Sequence, residues 1–365
     1  MNEEKNVVTT EEKEEKIFVD NKDDVVDEKN IRAFAPGHFY FPGPIITKED
    51  TLKKINESRS IFYLFVDRSN KVKKITLFSF LGIFLIFTIL LLANQSLVNV
   101  LFIPMILFFV LFLVVVYFLT TINKKKRNVA FDQYRYDYCL LFDTYAFYQT
   151  GISNLEFSYN TQIEKEKISD ISCYENIIKT LTRDVVKGTM FGVKFTSYDA
   201  LVRCGEEGSD KKNQSVIFSG KMFHFDLKTK KDEKMYLYLK GCGDSQPTEL
   251  SGLDKINLSG LKSEYLVYSS VDNPAMLLNK TTIDYLNKFK IDDVIEDVII
   301  SISSKGIYVG LSLTTKYMTI PFKDEVDDKF IDHFKNDIEL IKSLIASLVN
   351  NRKLIKIESQ VEEKD

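Results

Sequence analysis

Residues 75–122 read ITLFSFLGIFLIFTILLLA, then NQSL, then VNVLFIPMILFFVLFLVVVYFLTTI, and this stretch decides the architecture of the chain. Its two apolar runs contain roughly 19 and 23 residues. At about 1.5 Å per residue, each run is long enough to cross a hydrocarbon core of about 30 Å as a helix. Neither run contains Asp, Glu, Lys, Arg or His, and neither shows the polar stripe of a soluble helix. The stretch therefore predicts a transmembrane helical hairpin with a tight, uncharged turn.

Basic residues flank both apolar runs and are absent from the turn between them. Arg68, Lys71, Lys73 and Lys74 precede the first run, and residues 124–127, KKKR, follow the second. Short flanks rich in Lys and Arg stay on the cytoplasmic side of a membrane. We therefore expect a multi-pass protein of the cell membrane with both termini cytoplasmic. Because the runs hold no ionisable group, they favour an anchor over a channel or transporter built from one copy.

The remainder of the chain is large enough to fold. The protein has 365 residues, of which 45% are hydrophobic and 28% charged, and its formal net charge is −3. Roughly 240 residues follow the hairpin, enough for one sizeable domain or two small ones. We predict an α+β protein in which the hairpin anchors a cytoplasmic, mainly antiparallel β-sheet domain over residues 123–355. Flanking helices and a C-terminal amphipathic helix complete this prediction, with a charged tail over residues 356–365.

The part before the hairpin divides into three segments. Residues 1–30 are rich in Glu, Asp, Lys and Asn, which predicts a disordered acidic tail. Residues 31–46, IRAFAPGHFYFPGPII, are aromatic and interrupted by Pro and Gly, which rules out a helix there. Thr47-Lys48-Glu49-Asp50 resembles a capping box and predicts a juxtamembrane helix over residues 48–67, within a region that extends to residue 74. Four aromatic residues form the candidate site for docking a partner: Phe34, Phe39, Tyr40 and Phe41.

The aromatic segment has a second interpretation. Its four aromatic side chains form too apolar a patch to stay in water, so they dock a partner or pack against the protein's own cytoplasmic domain. We favour packing within the chain, with Phe34 and Tyr40 at least half buried, and we keep the docking motif as the alternative.

The region after the hairpin changes from helical to β patterning. Residues 128–148 carry aromatic residues at spacings of three and four, typical of a helix that continues the second run as a packed stem. From Leu155 the pattern changes to short alternating runs, such as LEFSY and ISDISCY, and residues 175–182 predict a short helix. From Val185 onward, β-branched and aromatic residues alternate between polar turns, which predicts strands. The strand segments read TMFGVKFTSY, ALVRC, SVIFSGKMFHFDLKT, KMYLYLK and EYLVYSS, with hairpin tips at 205–215 and 228–234.

The last third of the chain mixes helices and strands. Asp272-Asn273-Pro274 predicts a helix through Leu278, because Pro suits the first helical position. Thr281-Thr282-Ile283-Asp284 resembles a capping box before a helix that ends near Phe289. DVIISISS and KGIYVGLSLTT predict a hairpin around residues 304–306, with YMTIPF after it. Residues 325–351 are apolar at every third or fourth position, so we expect an amphipathic helix with Phe334 and Ile338 buried against the sheet.

No motif for catalysis, cofactor binding or metal binding is recognisable. The sequence contains no GxSxG, Walker A, dinucleotide fingerprint or HExxH, and His38, His224 and His333 fall in different predicted elements. We interpret His224 as a sheet position and His333 with Asp337 as a solvated pair one helical turn apart. Cys242, between two glycines, is interpreted as a loop cysteine because no candidate base accompanies it. We therefore predict no catalytic residue, no cofactor, no metal and no nucleic acid.

The four cysteines are expected to be unpaired with one another. Cys139, Cys173, Cys204 and Cys242 are far apart and form no CxxC pair. On the cytoplasmic side of a membrane we expect them to be reduced thiols in the core or in loops.

The order of the segments after the hairpin resembles a known family. RDVVKGTMFGVKFTSYDALVR, VIFSGKMFHFDLKTK, LKSEYLVYSSVDNPAMLLNKTTIDYLNKF and the IYVGLSL hairpin look like the bacterial membrane-protein family of domain of unknown function 3137 (DUF3137), over roughly residues 60–350. Two membrane spans precede this region in that family too. Arg183 stands where the family usually has an acidic residue, and the arginine expected near Pro274 is absent. The matching positions are Gly188, Phe195, Phe218, Gly220, Phe225, Tyr265, Val267, Tyr268 and Ser269.

This resemblance implies a fold and a topology but no activity, because the family has no established catalytic residues. Two function classes therefore stay open. The first is a non-enzymatic, membrane-anchored cytoplasmic binding or scaffold module for a protein partner or for copies of itself. The second is an enzyme at the inner membrane surface, with a site among His224, Cys242 and nearby acids. The sequence shows no convergent set of titratable residues, which favours the first class.

Overall fold

The computed structural model describes residues 47–93, 98–152, 155–159, 161, 163, 177–204, 215–239, 253–314, 326 and 328–356. Several sequence predictions fall outside these residues. They are the acidic tail, the aromatic segment with its four candidate docking residues, the turn of the transmembrane hairpin at 94–97, the hairpin tip at 205–214, the YMTIPF segment and the charged tail after residue 356.

Helix α1, Lys48–Ala93, begins at the capping box that the sequence predicts. The amide of Asp50 donates to Thr47 Oγ1 at 3.1 Å, and the Thr47 hydroxyl donates to the Asp50 carboxylate at 2.9 Å. The prediction that this helix ends near residue 67 is wrong, because α1 continues unbroken through the first apolar run. An ion pair between Lys71 and Asp67, at 2.8 Å and one turn apart, supports the helix at this junction.

Helix α2, Val98–Gln149, joins the second apolar run and the predicted stem in 52 continuous residues. Pro104 lies near its start, where the missing N–H costs little. Both α1 and α2 are long and apolar enough to cross a membrane, and the most apolar window of each is not buried within the protein. Exposed side chains such as Phe78 and Tyr117 are those expected to face lipid. The prediction of two apolar helices is confirmed.

Outside the apolar runs, α1 and α2 pack against each other as a stem. Phe62 on α1 stacks on Tyr134 of α2, with ring centroids 6.1 Å apart. In this part of α1, Ile55 is fully buried, whereas Ile61 and Leu64 are 51% and 62% exposed. The two exposed residues lie on the side of α1 that faces away from α2, because the buried positions Ile55 and Phe62 define the opposite side.

The β region forms one antiparallel sheet of nine strands in the order β1-β2-β3-β4-β10-β9-β6-β8-β7, together with a two-stranded sheet of β5 and β11. Two long apolar helices followed by an antiparallel sheet confirm the predicted α+β class. The strands are β1 Glu156–Ser158, β2 Ile177–Met190, β3 Val193–Cys204, β4 Ser215–Phe225, β5 Leu227–Thr229, β6 Met235–Leu239, β7 Asp254–Ile256, β8 Tyr265–Ser269, β9 Ile295–Ser303, β10 Gly306–Leu313 and β11 Leu354–Lys356.

The first hairpin of the sheet corrects two sequence predictions. The helix predicted over residues 175–182 is wrong for residues 177–182, which belong to β2, where Thr180 pairs with Val202 of β3. A β-branched pair of this kind favours a strand over a helix. The segment TMFGVKFTSY is not one strand, because Phe191 and Gly192 have φ of 52° and 72° and form a two-residue turn between β2 and β3.

The segment SVIFSGKMFHFDLKT also divides into two strands. Strand β4 lies in the large sheet between β3 and β10, whereas β5 leaves that sheet and pairs with β11 near the C-terminus. The tip predicted at 228–234 therefore does not join neighbouring strands, since β6 pairs with β8 and β9. Gly220 permits the close approach of β4 and β10, because an added Cβ would lie 1.8 Å from the carbonyl oxygen of Leu311.

The short helices differ from prediction in their caps. The segment Pro274–Met276 forms a single 3₁₀ turn, and Asn273 before it makes no capping hydrogen bond with its side chain. Helix α3, Lys280–Leu286, is capped by Asn279, whose side chain accepts from the amide of Thr282 at 2.9 Å. The capping box predicted from Thr281 is therefore wrong by two residues, because asparagine is the better cap there.

The last predicted elements are confirmed. Strands β9 and β10 form the expected hairpin, in which Ser303 pairs with Gly306. Helix α4, Asp328–Val349, buries Phe334 and Ile338 in the hydrophobic core together with residues of α2 and the sheet. The Phe334 ring stacks on Phe142 of α2, with centroids 5.2 Å apart. Lys48 at the start of α1 pairs with Asp332 of α4 at 2.7 Å, so α4 contacts both long helices.

Candidate functional site

A polar stripe runs along the side of α2 that meets the sheet. Arg135, Cys139 and Asp143 are spaced by four residues, so they lie one turn apart on one side of the helix. The Arg135 side chain is 14% exposed, the Asp143 side chain 2%, and Cys139 is buried. Charged groups buried to this degree need partners, and strands β2, β3 and β4 provide them.

Lys221 on β4 holds two of these carboxylates. Its Nζ lies 2.8 Å from both oxygens of Asp143 and 2.7 Å from Asp199 Oδ1. Asp143 Oδ1 is within ion-pair distance but lacks hydrogen-bond geometry. Asp199 and Lys221 are directly opposite in the β3–β4 register. The same ammonium lies 5.6 Å from the centre of the Phe334 ring, so Lys221 connects β4 to α2, β3 and α4.

Asp184 on β2 is the partner of the other two residues of the polar stripe, Arg135 and Cys139. Arg135 Nη2 donates to Asp184 Oδ2 at 3.0 Å, and Cys139 Sγ donates to the same oxygen at 3.4 Å. Asp184 has a φ of 52°, in the left-handed region, where the β2–β3 register shifts between Arg183 and Val186. A bulge of this kind redirects a side chain, here into the interior. We call the following six residues the buried charge cluster: Arg135, Cys139, Asp143, Asp184, Asp199 and Lys221.

The buried charge cluster contains two cations and three carboxylates, so full ionisation would leave one net negative charge among its members. Burial raises the pKa of the Asp143 carboxyl, which lies outside the apolar run, against the opposing attraction of Lys221. Burial alone would lower the pKa of Lys221, but the attraction of Asp143 and Asp199 outweighs it and raises that pKa. The Lys221 ammonium therefore stays charged. Burial also raises the pKa of the Cys139 thiol, so the thiol stays protonated.

This arrangement suits a structural joint better than a reactive site. Each cation of the cluster is engaged by carboxylates at 3.0 Å or less. The one thiol is protonated and buried, which makes it a poor nucleophile. A buried network whose cations are paired with carboxylates fixes the relative position of the elements that carry it. The cluster therefore fastens α2 to the sheet.

Sequence reasoning missed the buried charge cluster. The one local signal was the four-residue spacing of Arg135, Cys139 and Asp143 within an otherwise aromatic helix. Arg135 and Cys139 reach Asp184 across 49 and 45 residues of sequence, and Lys221 reaches Asp143 across 78. No periodicity connects residues so far apart, so their pairing becomes visible only when the strand order is known.

The residues singled out from the sequence are not brought together. The four aromatic residues of the candidate docking motif, His38 and Cys242 lie outside the described residues. His224 lies on β4, where its ring stacks on Tyr308 with centroids 4.3 Å apart. Its Nε2 lies 3.4 Å from the carbonyl oxygen of Lys305, in the β9–β10 turn. These contacts place His224 beside an aromatic ring and a turn on the sheet.

The interpretation of His333 and Asp337 as a solvated pair is wrong. His333 Nε2 lies 3.5 Å from Asp337 Oδ2 and 3.8 Å from Asp292 Oδ2, and the Asp337 side chain is only 13% exposed. Burial, with a further contribution from Asp292, raises the pKa of the Asp337 carboxyl to about 8. Within the part of the chain that the structure describes, no group of three or more His, Cys, Asp or Glu residues could hold a metal ion.

An apolar cleft opens between the two apolar helices. Phe80 of α1 stacks on Phe112 of α2, with ring centroids 4.3 Å apart, and four further phenylalanines surround this contact. The cleft exposes no polar surface, so it can contact hydrocarbon but presents no polar group for binding or catalysis. It is lined by Phe80, Phe84, Phe87, Ile106, Phe108 and Phe109.

Comparison with known proteins adds little. No protein-family model matches the chain, and no curated protein sequence matches it. Among solved structures it is similar to the crystal structure of the mycobacterial trehalose monomycolate transport factor A, with 12% sequence identity and a TM-score of 0.31. The match covers 60% of this chain and 96% of that chain. Values this low carry no argument about function, and the resemblance to the DUF3137 family stays a prediction.

Proposed function

We propose that this chain is an integral membrane protein whose cytoplasmic α+β domain acts as a non-enzymatic binding or scaffold module. The observation that carries the proposal is the continuity of α2. This helix runs unbroken from the second apolar run to Gln149, and the buried charge cluster fastens its last turns to three strands. A domain attached in this way is held near the membrane in a fixed orientation, as a binding platform requires.

The cytoplasmic orientation in this proposal rests on the distribution of charge. No Asp or Glu occurs from Arg68 to Phe131, whereas eight Lys and Arg residues flank the two apolar runs. Positive residues close to a span stay on the cytoplasmic side, and acidic residues contribute little to orientation. Both termini and the β domain therefore belong on the cytoplasmic side of the cell membrane.

The binding role is supported by two features: the cluster of charged residues is enclosed in the fold, and two apolar residues of α1 are exposed. The two cations of the buried charge cluster are paired with carboxylates inside the fold, so contacts with a partner must come from the surface. Ile61 and Leu64, on the part of α1 outside the apolar run, are exposed and are our first candidates for contact with a protein partner or a second copy. The aromatic segment, which precedes α1 in the sequence, remains the second candidate.

The proposed family is the bacterial DUF3137 family, on the order of the segments quoted above. Two of its recurring glycines have a physical reason in this fold. A Cβ at Gly188 would lie 2.7 Å from the Phe195 ring, and a Cβ at Gly220 would lie 1.8 Å from the carbonyl oxygen of Leu311. Contacts this short leave room for glycine alone, so these positions suit a shared fold.

The experiment that tests the proposed function is crosslinking in intact cells. A photoreactive amino acid is placed at Ile61 of the full chain, with a matched placement at exposed Lys290 as a control. The expected result is a discrete crosslinked product, with a partner protein or a second copy, from Ile61. A second chain carries Ile338→Asp, which disrupts the β domain while leaving both apolar helices intact.

The Ile338→Asp chain should insert in the membrane and lose the crosslinked product. The same product from both chains would show that the contact does not depend on the domain and would contradict the proposal. Four further chains carry the photoreactive amino acid at Phe34, Phe39, Tyr40 or Phe41. The absence of any crosslinked product from Ile61 and from all four of these positions would also contradict the proposal.

A further inference from the structure

Eight basic residues surround the hairpin where it leaves the apolar runs. Arg68, Lys71, Lys73 and Lys74 lie on α1, and residues 124–127 lie on α2. Because α1 and α2 pack against each other as a hairpin, the two groups lie at the same end of the apolar pair. Seven of the eight side chains are exposed, and Arg127 is half-buried. We call these eight residues the basic collar.

The sequence around the basic collar carries far more positive than negative charge. No acidic residue lies between Arg68 and Phe131, so the nearest acidic residues in the sequence are Asp67 and Asp132. Asp67 pairs with Lys71 at 2.8 Å, and Asp132 interacts electrostatically with Arg135. Like charges on adjacent turns repel one another, which favours the binding of anions to this surface.

We propose that the basic collar binds the headgroups of anionic phospholipids in the leaflet that it faces. The collar directly adjoins Ile75 and Ile122, the ends of the apolar runs. A lipid held there places its phosphate beside the ammonium and guanidinium groups and its acyl chains along the exposed apolar side chains. A folded protein partner or a nucleic acid matches only the basic part of this surface, so a lipid fits it better.

This inference goes beyond the proposed function, and it rests only on the crossing of a membrane by the two apolar helices. Lipid binding at the basic collar fixes the depth of the hairpin in the bilayer. Because α2 passes through the collar and continues into the buried charge cluster, the same contacts also orient the β domain relative to the membrane surface.

The test measures the association of the full chain with spin-labelled phosphatidylglycerol and phosphatidylcholine in reconstituted bilayers. We expect the anionic lipid to be bound several-fold more strongly at low ionic strength. This preference should decline as sodium chloride is added, because exposed charges are screened. Sodium phosphate at equal ionic strength should weaken the preference no more than the chloride does. A much stronger effect of phosphate would overturn the assignment to a lipid.

Two matched variants locate the site. Lys73, Lys74, Lys124 and Lys126 are changed together to Gln in the first variant, which should lose most of the preference. Four exposed lysines of the β domain are changed to Gln in the control, which should keep the preference in full. Equal association of the two lipids with the unmodified chain would overturn the proposal, and so would a preference that the collar variant retains. The control positions are Lys255, Lys262, Lys280 and Lys290.

Discussion

At the scale of single residues, the buried charge cluster depends most on Lys221. Its ammonium is the shared partner of Asp143 and Asp199, and Asp143 is almost fully buried. We predict that Lys221→Met destabilises the protein by about 3–5 kcal/mol, because loss of one partner leaves a buried charge uncompensated. The measurement is chemical unfolding of the purified full chain in detergent. Lys290→Met, at an exposed position, should change stability by less than about 0.5 kcal/mol.

A second substitution separates the charge effect from the loss of packing. Asp143→Leu combined with Lys221→Met removes both charges of the Asp143–Lys221 pair. This double variant should recover at least half of the stability that Lys221→Met loses. Asp199 then remains at the edge of the cluster, where its side chain is 29% exposed and can be hydrated. If the single Lys221→Met variant unfolds at the same denaturant concentration as the unmodified chain, the cluster does not fasten α2 to the sheet.

Asp337 gives the fold a dependence on pH. Burial raises the pKa of its carboxyl in the folded protein to about 8, against about 3.9 in an unfolded chain. A carboxyl shifted upward stabilises the fold below its unfolded pKa, and this contribution is lost as the pH rises through about 8. We predict that Asp337→Asn raises the melting temperature at pH 9 and that the gain shrinks towards pH 5.

The control for this prediction is Asp284→Asn, at an exposed position on α3, which should give no comparable dependence on pH. Two titratable groups face Asp337, namely His333 on the same helix and Asp292 in the segment before β9. A melting difference between the Asp337→Asn variant and the unmodified chain that stays constant from pH 5 to pH 9 would contradict the assignment of a raised pKa.

At the scale of elements, α4 closes the core between α2 and the sheet. Phe334 is 5% exposed, and its ring stacks on Phe142 with centroids 5.2 Å apart. We predict that Phe334→Ala destabilises the protein by about 2–5 kcal/mol, because the lost side chain leaves a cavity among packed rings. Thermal unfolding of the full chain measures the effect, with exposed Asn336→Ala as the control. An unchanged transition in Phe334→Ala would mean that α4 packs elsewhere.

The elements that the sequence predicts well are those with a local signal. The apolar runs, the capping box at Thr47, the β9–β10 hairpin and the periodicity of α4 each appear within one segment of chain. The helix predicted for residues 177–182 was wrong because threonine and charged side chains there give no clear period, and it is pairing with β3 that makes these residues a strand. The place of Asp184 in the buried charge cluster could not be predicted either, because it depends on a bulge in β2.

At the scale of the whole molecule, one helix connects the membrane to the fold. The 52 residues of α2 span about 78 Å at about 1.5 Å per residue, more than twice a hydrocarbon core of about 30 Å. The apolar half could be predicted from composition alone. The attachment of the other half could not, because Arg135 and Asp143 meet partners on strands whose order depends on the complete fold. The buried charge cluster could therefore not be predicted from the sequence, whereas the apolar runs that anchor the chain could.

We propose that this helix carries the β domain on the cytoplasmic side. The test introduces single cysteines at Gln95, in the turn predicted from the sequence, and at exposed Lys290, in the domain, after replacement of the native cysteines. Each chain is treated in intact cells with a thiol reagent that cannot cross the membrane. We expect labelling at position 95 in intact cells, and at position 290 only after the membrane is made permeable. Labelling at position 290 in intact cells, with none at position 95, would contradict it.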